Sequence, residues 1–193
     1  MDIEAVIIAL GYLGIFLMMI ANGAVSFPSS QVLYIITGYF VFTGDLNVAL
    51  VVFFGAVGNT IGCIILYEIT RQKGLDYILK WKIFPQKEVQ KITVALRKKG
   101  LCFLFIGKLL PAIKVFVPVA AGMGKARREL FIPIMLVSSA IWTIPFLAIG
   151  FYFGKSSGLF GKYAIVLVIV AIIVVGIFYK YINSKEVLSE IEK

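Results

Sequence analysis

Residues 101–124 read LCFLFIGKLLPAIKVFVPVAAGMG, an apolar stretch whose middle holds Lys108, Pro111 and Lys114. Its length is close to the ~20 residues that cross a bilayer as a helix. A plain spanning helix does not hold two lysines at mid-depth with a proline between them. Proline removes a backbone donor and blocks helix continuation, and a lysine at that depth must face protein, water or an anion. The stretch is therefore predicted to enter and leave the membrane on one side, as a re-entrant hairpin with a functional tip. Its flanks agree. Residues 71–99 carry nine Lys/Arg against Asp76 and Glu88, and Lys125, Arg127 and Arg128 follow the stretch. Basic clusters mark cytoplasmic ends, and a single crossing cannot have one on each side.

The rest of the chain is as apolar as this stretch. Of 193 residues, 61% are hydrophobic and 15% charged, and the mean hydropathy is +0.99, which marks an integral membrane protein. Apolar runs cover most of the length, so residues 1–193 are read as one all-α membrane domain. The start, Met-Asp-Ile-Glu, lacks the basic segment of a secretory signal, and residues 1–24 are expected to remain in the mature protein. There is no histidine, and Cys63 and Cys102 stand singly in apolar runs. Metal sites, redox chemistry and cofactors are therefore not expected. Ser29-Ser30, Ser138-Ser139 and Ser156-Ser157 supply hydroxyls, but no histidine, GxSxG or acidic pair is there to activate them, so the chain is not expected to be an enzyme.

Two segments share one plan. In residues 1–70 an apolar run, 5–21, is followed by the breaker-rich decapeptide Asn22 to Gln31 (NGAVSFPSSQ) and a shorter run, 32–42. This is the pattern of a first hairpin tip, and the turn at 43–47 leads to a spanning helix over 48–69. Gly55, Gly58 and Gly62 on that helix let a neighbouring backbone approach closely; the same row would also serve self-association into a homo-oligomer. Asn59 and Thr60 beside them are placed to donate hydrogen bonds to a tip. Residues 101–154 repeat the plan with the lysine hairpin and a helix over 130–153, in which Pro145 is a candidate kink. Between the repeats, residues 71–100 form a basic cytoplasmic loop. Within it Val89, Ile92 and Leu96 share one face of a helix opened by Pro85 and closed by Gly100, an interfacial amphipathic helix with Tyr77, Trp81 and Phe84 as headgroup anchors. Residues 155–193 supply a last spanning helix, 163–182, and a charged cytoplasmic tail. Two opposed re-entrant hairpins in an inverted repeat bring their tips together near the midplane, where transporters bind substrate.

Several residues carry a resemblance. The Asn22–Gln31 tip with Gly38, the GNxxG of Gly58 to Gly62 with Tyr67 and Gly74, and FIGKLLPAIKVFVPVAAGM with Phe131 and Trp142 together resemble the DedA family of VTT-domain membrane proteins, over nearly all of the chain up to Gly154. The resemblance implies two opposed re-entrant hairpins and movement of lipids, polyprenyl-phosphate carriers or phospholipids, across the bilayer. This sequence departs from the pattern where family tips carry glutamates, having Asn22 and Gln31, and where they carry arginines, having Lys108 and Lys114. Pro28 stands alone where a proline pair is usual. Neither tip therefore has a carboxylate able to take up a proton, and lysine offers a point charge in place of a bidentate grip.

The residues themselves point to an anion. Lys108 and Lys114 flank Pro111, and the substrate-binding set is completed by Asn22, Pro28, Ser29, Ser30, Gln31 and Asn59. A lipid phosphate would neutralise the lysines while its acyl or prenyl chain stays among the helices. The expected function is an anionic-lipid flippase or scramblase of the cell membrane. The alternative is a small-ion or solute transporter or channel using the same midplane cavity. Nucleic acid is not expected as a partner despite the net charge of +9, because the basic residues gather at predicted membrane edges.

Overall fold

The computed structural model describes residues 3–27, 29–81, 84–111, 113–155 and 173. Apart from residue 173, the expected last helix at 163–182 lies outside the described residues, as do the tail, Ser156-Ser157 and Pro28. Seven α-helices and no strand are found among the described residues: α1 Ile3–Val25, α2 Ser30–Thr43, α3 Val48–Leu79, α4 Gln86–Lys99, α5 Leu101–Lys108, α6 Phe116–Met123 and α7 Arg128–Lys155. α3 and α7 are long and apolar enough to cross a membrane. The helices form two compact units. The first takes the chain up to Cys63 and resumes at Leu136; the second takes Ile64–Met135, so the boundaries fall inside α3 and α7.

In the first unit, local chemistry sets the helix ends. Gly44 adopts φ 90° after α2, a left-handed cap that costs glycine nothing, and Asn47 caps α3 by accepting hydrogen bonds from the backbone of Ala49 and Leu50 at 2.9 and 3.3 Å. The Tyr12 hydroxyl accepts the Asn47 N–H at 2.7 Å and ties this turn to α1. α1 stays helical through Asn22 to Val25, so the break is shorter than the decapeptide suggests. It begins at Ser26, which takes φ 61° and donates its N–H to Asn22 O at 2.9 Å.

Glycines set the spacing of these helices. A β-carbon on Gly62 would lie 2.9 Å from Gly23 Cα and 2.8 Å from the Ala24 nitrogen, while one on Gly58 would collide with the Phe16 carbonyl. α1 and α3 thus run parallel with their backbones in contact. α2 and α7 do the same: Ser30 meets Trp142, Gly38 meets Gly150, and Gly154 meets Phe42, three contacts in constant register. The Gly55 Cα faces the Tyr34 ring. Since lipid tails are as apolar as leucine, such backbone contact and van der Waals packing, more than apolar burial, hold helices together in a bilayer. Tyr12, Ile15, Met19, Tyr34, Val51 and Leu147 fill the space between. Pro145 introduces no break, and α7 is one helix.

In the second unit α3 turns at Gly74, whose φ of 77° and ψ of 178° are open only to glycine, and continues to Leu79 where the sequence suggests a loop. α4 is amphipathic as its pattern indicates, with Glu88 in the first turn, Arg97, Lys98 and Lys99 in the last, and Gly100 at φ 61° ending it. Its apolar face, however, is not turned to the membrane surface. Val89, Ile92 and Ala95 are wholly buried, packed with α5 and α6, and Val89 shares a core with Leu66, Ile78, Phe84 and Val119. Phe84 is buried edge-on to Phe116 and anchors nothing in headgroups, whereas Tyr77 and Trp81 remain at the surface of the unit. The interfacial reading therefore gives way: the same stripe that could lie on lipid has a protein partner, the α5–α6 hairpin.

The glycine contacts predict a sharp contrast between positions on α1 and α3. Gly62→Ala should lower the melting temperature in detergent, at a cost of about 1–3 kcal/mol from overpacking, while Gly14→Ala, where a β-carbon meets nothing within 4 Å, should leave it unchanged or slightly raised. Equal melting curves for the two variants would show that the α1–α3 contact is not tight.

Candidate functional site

The polar residues of the first unit converge on one level. Asn22 in α1 and Asn59 in α3 are 4% exposed, and the Asn59 amide donates to Asn22 Oδ1 at 3.1 Å. Ser139 of α7 donates to Asn59 Oδ1 at 2.9 Å, and the Cys63 thiol approaches the same oxygen at 3.7 Å. One amide therefore ties three helices. One turn further along α7, the Trp142 indole N–H donates to Ser30 Oγ at 3.2 Å, the first residue of α2. Ser29 and Ser30 both donate to Gln31 Oε1, at 2.9 and 3.4 Å. Asn22, Asn59, Ser29, Ser30 and Gln31 thus gather around the α1–α2 break, and the break lies alongside the middle of α3 instead of its end.

Ser139 and Trp142 are absent from the site set that the sequence suggests, yet they hold both sides of the break. A tryptophan inside a spanning helix, away from the rim where aromatic belts form, is the one sequence signal that points to them. The expected packing glycines 55, 58 and 62 are spent on contacts within the chain.

The second unit carries the charged tip. α5 and α6 are each eight residues long and are joined by the turn through Pro111, so each rises only about 12 Å. Lys108 closes α5 and Lys114 precedes α6; they are 5% and 7% exposed, and Pro111 between them is exposed. Gly107 lets the limbs close up, since a β-carbon there would meet Val117 Cγ2 at 3.0 Å and Ile113 Cδ1 at 3.3 Å. Packed around by α4, this is a preformed turn that keeps two cationic side chains inside protein. Ionisable residues held inside a membrane protein are rare and mark a candidate functional site.

The far end of α6 is clamped. Tyr67 donates its hydroxyl to Ala126 O at 2.5 Å, Arg71 donates to the same carbonyl at 3.0 Å and to Tyr67 Oη, and Tyr67 stacks on Phe131 with ring centroids 4.4 Å apart. Arg128 pairs with Glu68 at 2.6 Å beside it. Among the described residues no group of three His, Cys, Asp or Glu side chains gathers as a metal site would require.

A family model, the VTT domain, matches residues 27–152. The chain belongs to the VTT-domain family, the DedA-type membrane proteins. It is similar to the uncharacterized membrane protein YbfM of Bacillus subtilis, 29% identical over 77% of this chain and 93% of the relative. It is also similar to undecaprenyl phosphate transporter A of Staphylococcus aureus, 22% identical over 91% and 93%, and to protein DedA of Escherichia coli, 28% identical over 58% and 52%. No solved structure matches it. In this VTT-domain protein, most residues that carry the resemblance have structural duties: Gly38, Gly58 and Gly62 set helix spacing, Gly74 makes a bend, Tyr67 and Phe131 stack, and Trp142 holds α2.

The Asn59 amide is expected to behave as a shared node. Asn59→Leu would leave Asn22 Oδ1 and Ser139 Oγ each short of a hydrogen bond, at about 1–3 kcal/mol for a buried group. A double-mutant cycle of Asn59→Ala with Ser139→Ala, followed by chemical denaturation in detergent, should give a coupling of about 0.5–1.5 kcal/mol. Strict additivity would mean that the two side chains do not interact.

Proposed function

We propose that the protein moves an anionic lipid, a polyprenyl phosphate or a phospholipid, across the cell membrane as a flippase or scramblase, with Lys108 and Lys114 holding the headgroup phosphate. The observation that carries this reading is the burial of those two basic side chains, 5% and 7% exposed, on either side of a proline turn in an apolar stretch. A phosphate supplies the opposite charge, and its hydrocarbon chain is at home in the bilayer. The undecaprenyl phosphate transporter A of Staphylococcus aureus, similar over 91% of this chain, is named for such a cargo.

In this reading both hairpins are re-entrant and enter from opposite faces as an inverted repeat, with residues 71–100 and the C-terminus on the cytoplasmic side. Two features support it. Each limb of the second hairpin covers about 12 Å of a hydrocarbon core of ~30 Å. The α1–α2 break lies beside Asn59 and Cys63, well inside a helix long enough to span. The chain is read as a carrier without catalytic chemistry: the hydroxyls of Ser29, Ser30 and Ser139 are engaged with amide oxygens or with Trp142. Asn22 and Gln31 offer no proton to exchange at the first tip.

The double variant Lys108→Gln/Lys114→Gln tests the site. In proteoliposomes it should reduce undecaprenyl phosphate movement to the protein-free background while expressing normally. Native mass spectrometry should show the phosphate-bearing lipid that accompanies the wild type to be absent. Movement at the wild-type rate would remove the lysines from the site; no bound lipid in either protein would favour the solute-transport alternative.

A further inference from the structure

The first unit has an open apolar groove of about 290 Å³ on the side of the α2–α7 contact that faces α3, lined by Val41, Val48, Val52, Leu147, Ala148 and Phe151, with Ile144 and Tyr152 at its edges. Its size is at the lower end for ligand sites, but it has none of the convergent polar groups that orient a polar ligand. Two of its walls belong to α3 and α7, the helices apolar enough to cross the membrane. At that depth water is not available to fill it, and the material that fits is hydrocarbon.

Its position relative to the polar level singles out one hydrocarbon. Three helices connect the two places. From the helical rise, Val52 is about 10 Å from Asn59 along α3, Leu147 about 12 Å from Ser139 along α7, and Val41 about 16 Å from Ser30 along α2. The α2–α7 pair is parallel and in register, so all three paths lead the same way, from the break toward the groove. A lipid with its polar end at the level of Asn22, Asn59 and Ser139 has the part of its chain about 10–16 Å further on in reach of this groove. The glycine contact of Gly38 with Gly150 keeps the floor in place, and Ala148, half-buried, leaves it open.

We infer that this groove seats the hydrocarbon chain of the transported lipid while its polar end is at the level of the α1–α2 break; the inference rests on the proposed lipid-carrier function. Moving a chain from bilayer to groove changes little apolar exposure, so the groove acts by shape and contact more than by hydrophobic gain. Its function is to orient the lipid so that its polar end meets the break, and filling it should weaken binding by a moderate factor.

The test uses the full-length protein in nanodiscs of phosphatidylcholine containing undecaprenyl phosphate. Ala148→Phe fills the floor. Ile144→Trp narrows the mouth from a position that is 57% exposed and so tolerates the larger ring. Both should reduce retained undecaprenyl phosphate in native mass spectrometry about five- to tenfold, while binding of inorganic phosphate, which has no chain, stays as in the wild type. A photoreactive benzoylphenylalanine at Ile144 should label undecaprenyl phosphate in preference to the abundant phosphatidylcholine. Wild-type retention in Ile144→Trp, or labelling in proportion to lipid abundance, would overturn the groove assignment. The two readings separate cleanly: loss in the groove variants with full retention in Lys108→Gln/Lys114→Gln upholds the groove and rejects the lysine site, and the converse rejects the groove alone.

Discussion

Polar side chains buried away from water need partners within the protein, and in the first unit Asn59 supplies them to two other helices. Its amide nitrogen serves Asn22 on α1 and its oxygen receives Ser139 from α7, so one side chain fixes the level at which three helices meet. Everything else at the α1–α2 break is arranged around that level. Trp142 reaches Ser30 one turn away, and Gln31 collects the two serine hydroxyls. An amide is suited to this because it donates and accepts at once and carries no charge to be desolvated. A carboxylate in the place of Asn22 would have accepted the same Asn59 bond and added a proton equilibrium.

Glycine packing makes the node possible. Asn22 and Asn59 come within hydrogen-bond distance because Gly58 and Gly62 allow α3 to lie against the backbone of α1, and α7 delivers Ser139 and Trp142 because Gly150 lies on Gly38. Much of the pattern shared with VTT-domain proteins is thus a pattern of close approach. Lys108 and Lys114 are different in kind: they are charged, buried, and placed by a turn that the eight-residue helices α5 and α6 hold from both sides. Helix spacing alone gives no reason for a cation at either position.

α4 shows where a pattern stops being informative. Its apolar stripe is legible as a stripe, and its charges complement the helix dipole at both ends. Which surface meets the stripe depends on residues that follow it in the chain: Phe116 and Val119 of α6 cover what a headgroup layer could equally have covered. The spacing of apolar residues along a helix specifies a direction and carries no record of whether protein or lipid lies in it.

Composition and the apolar runs determined by themselves that this is a helical membrane protein, and the two lysines around Pro111 marked the stretch that is not a plain spanning helix, because bilayer thickness and the cost of buried charge act on local sequence. The tertiary structure decided that Asn22, Asn59 and Ser139 form one node, that α2 pairs with α7, and that α4 covers the lysine hairpin. Those contacts join residues far apart in the chain, and they depend on backbone separations that a glycine permits without specifying its partner. Only the folded chain, in which each close approach excludes the others, selects among them.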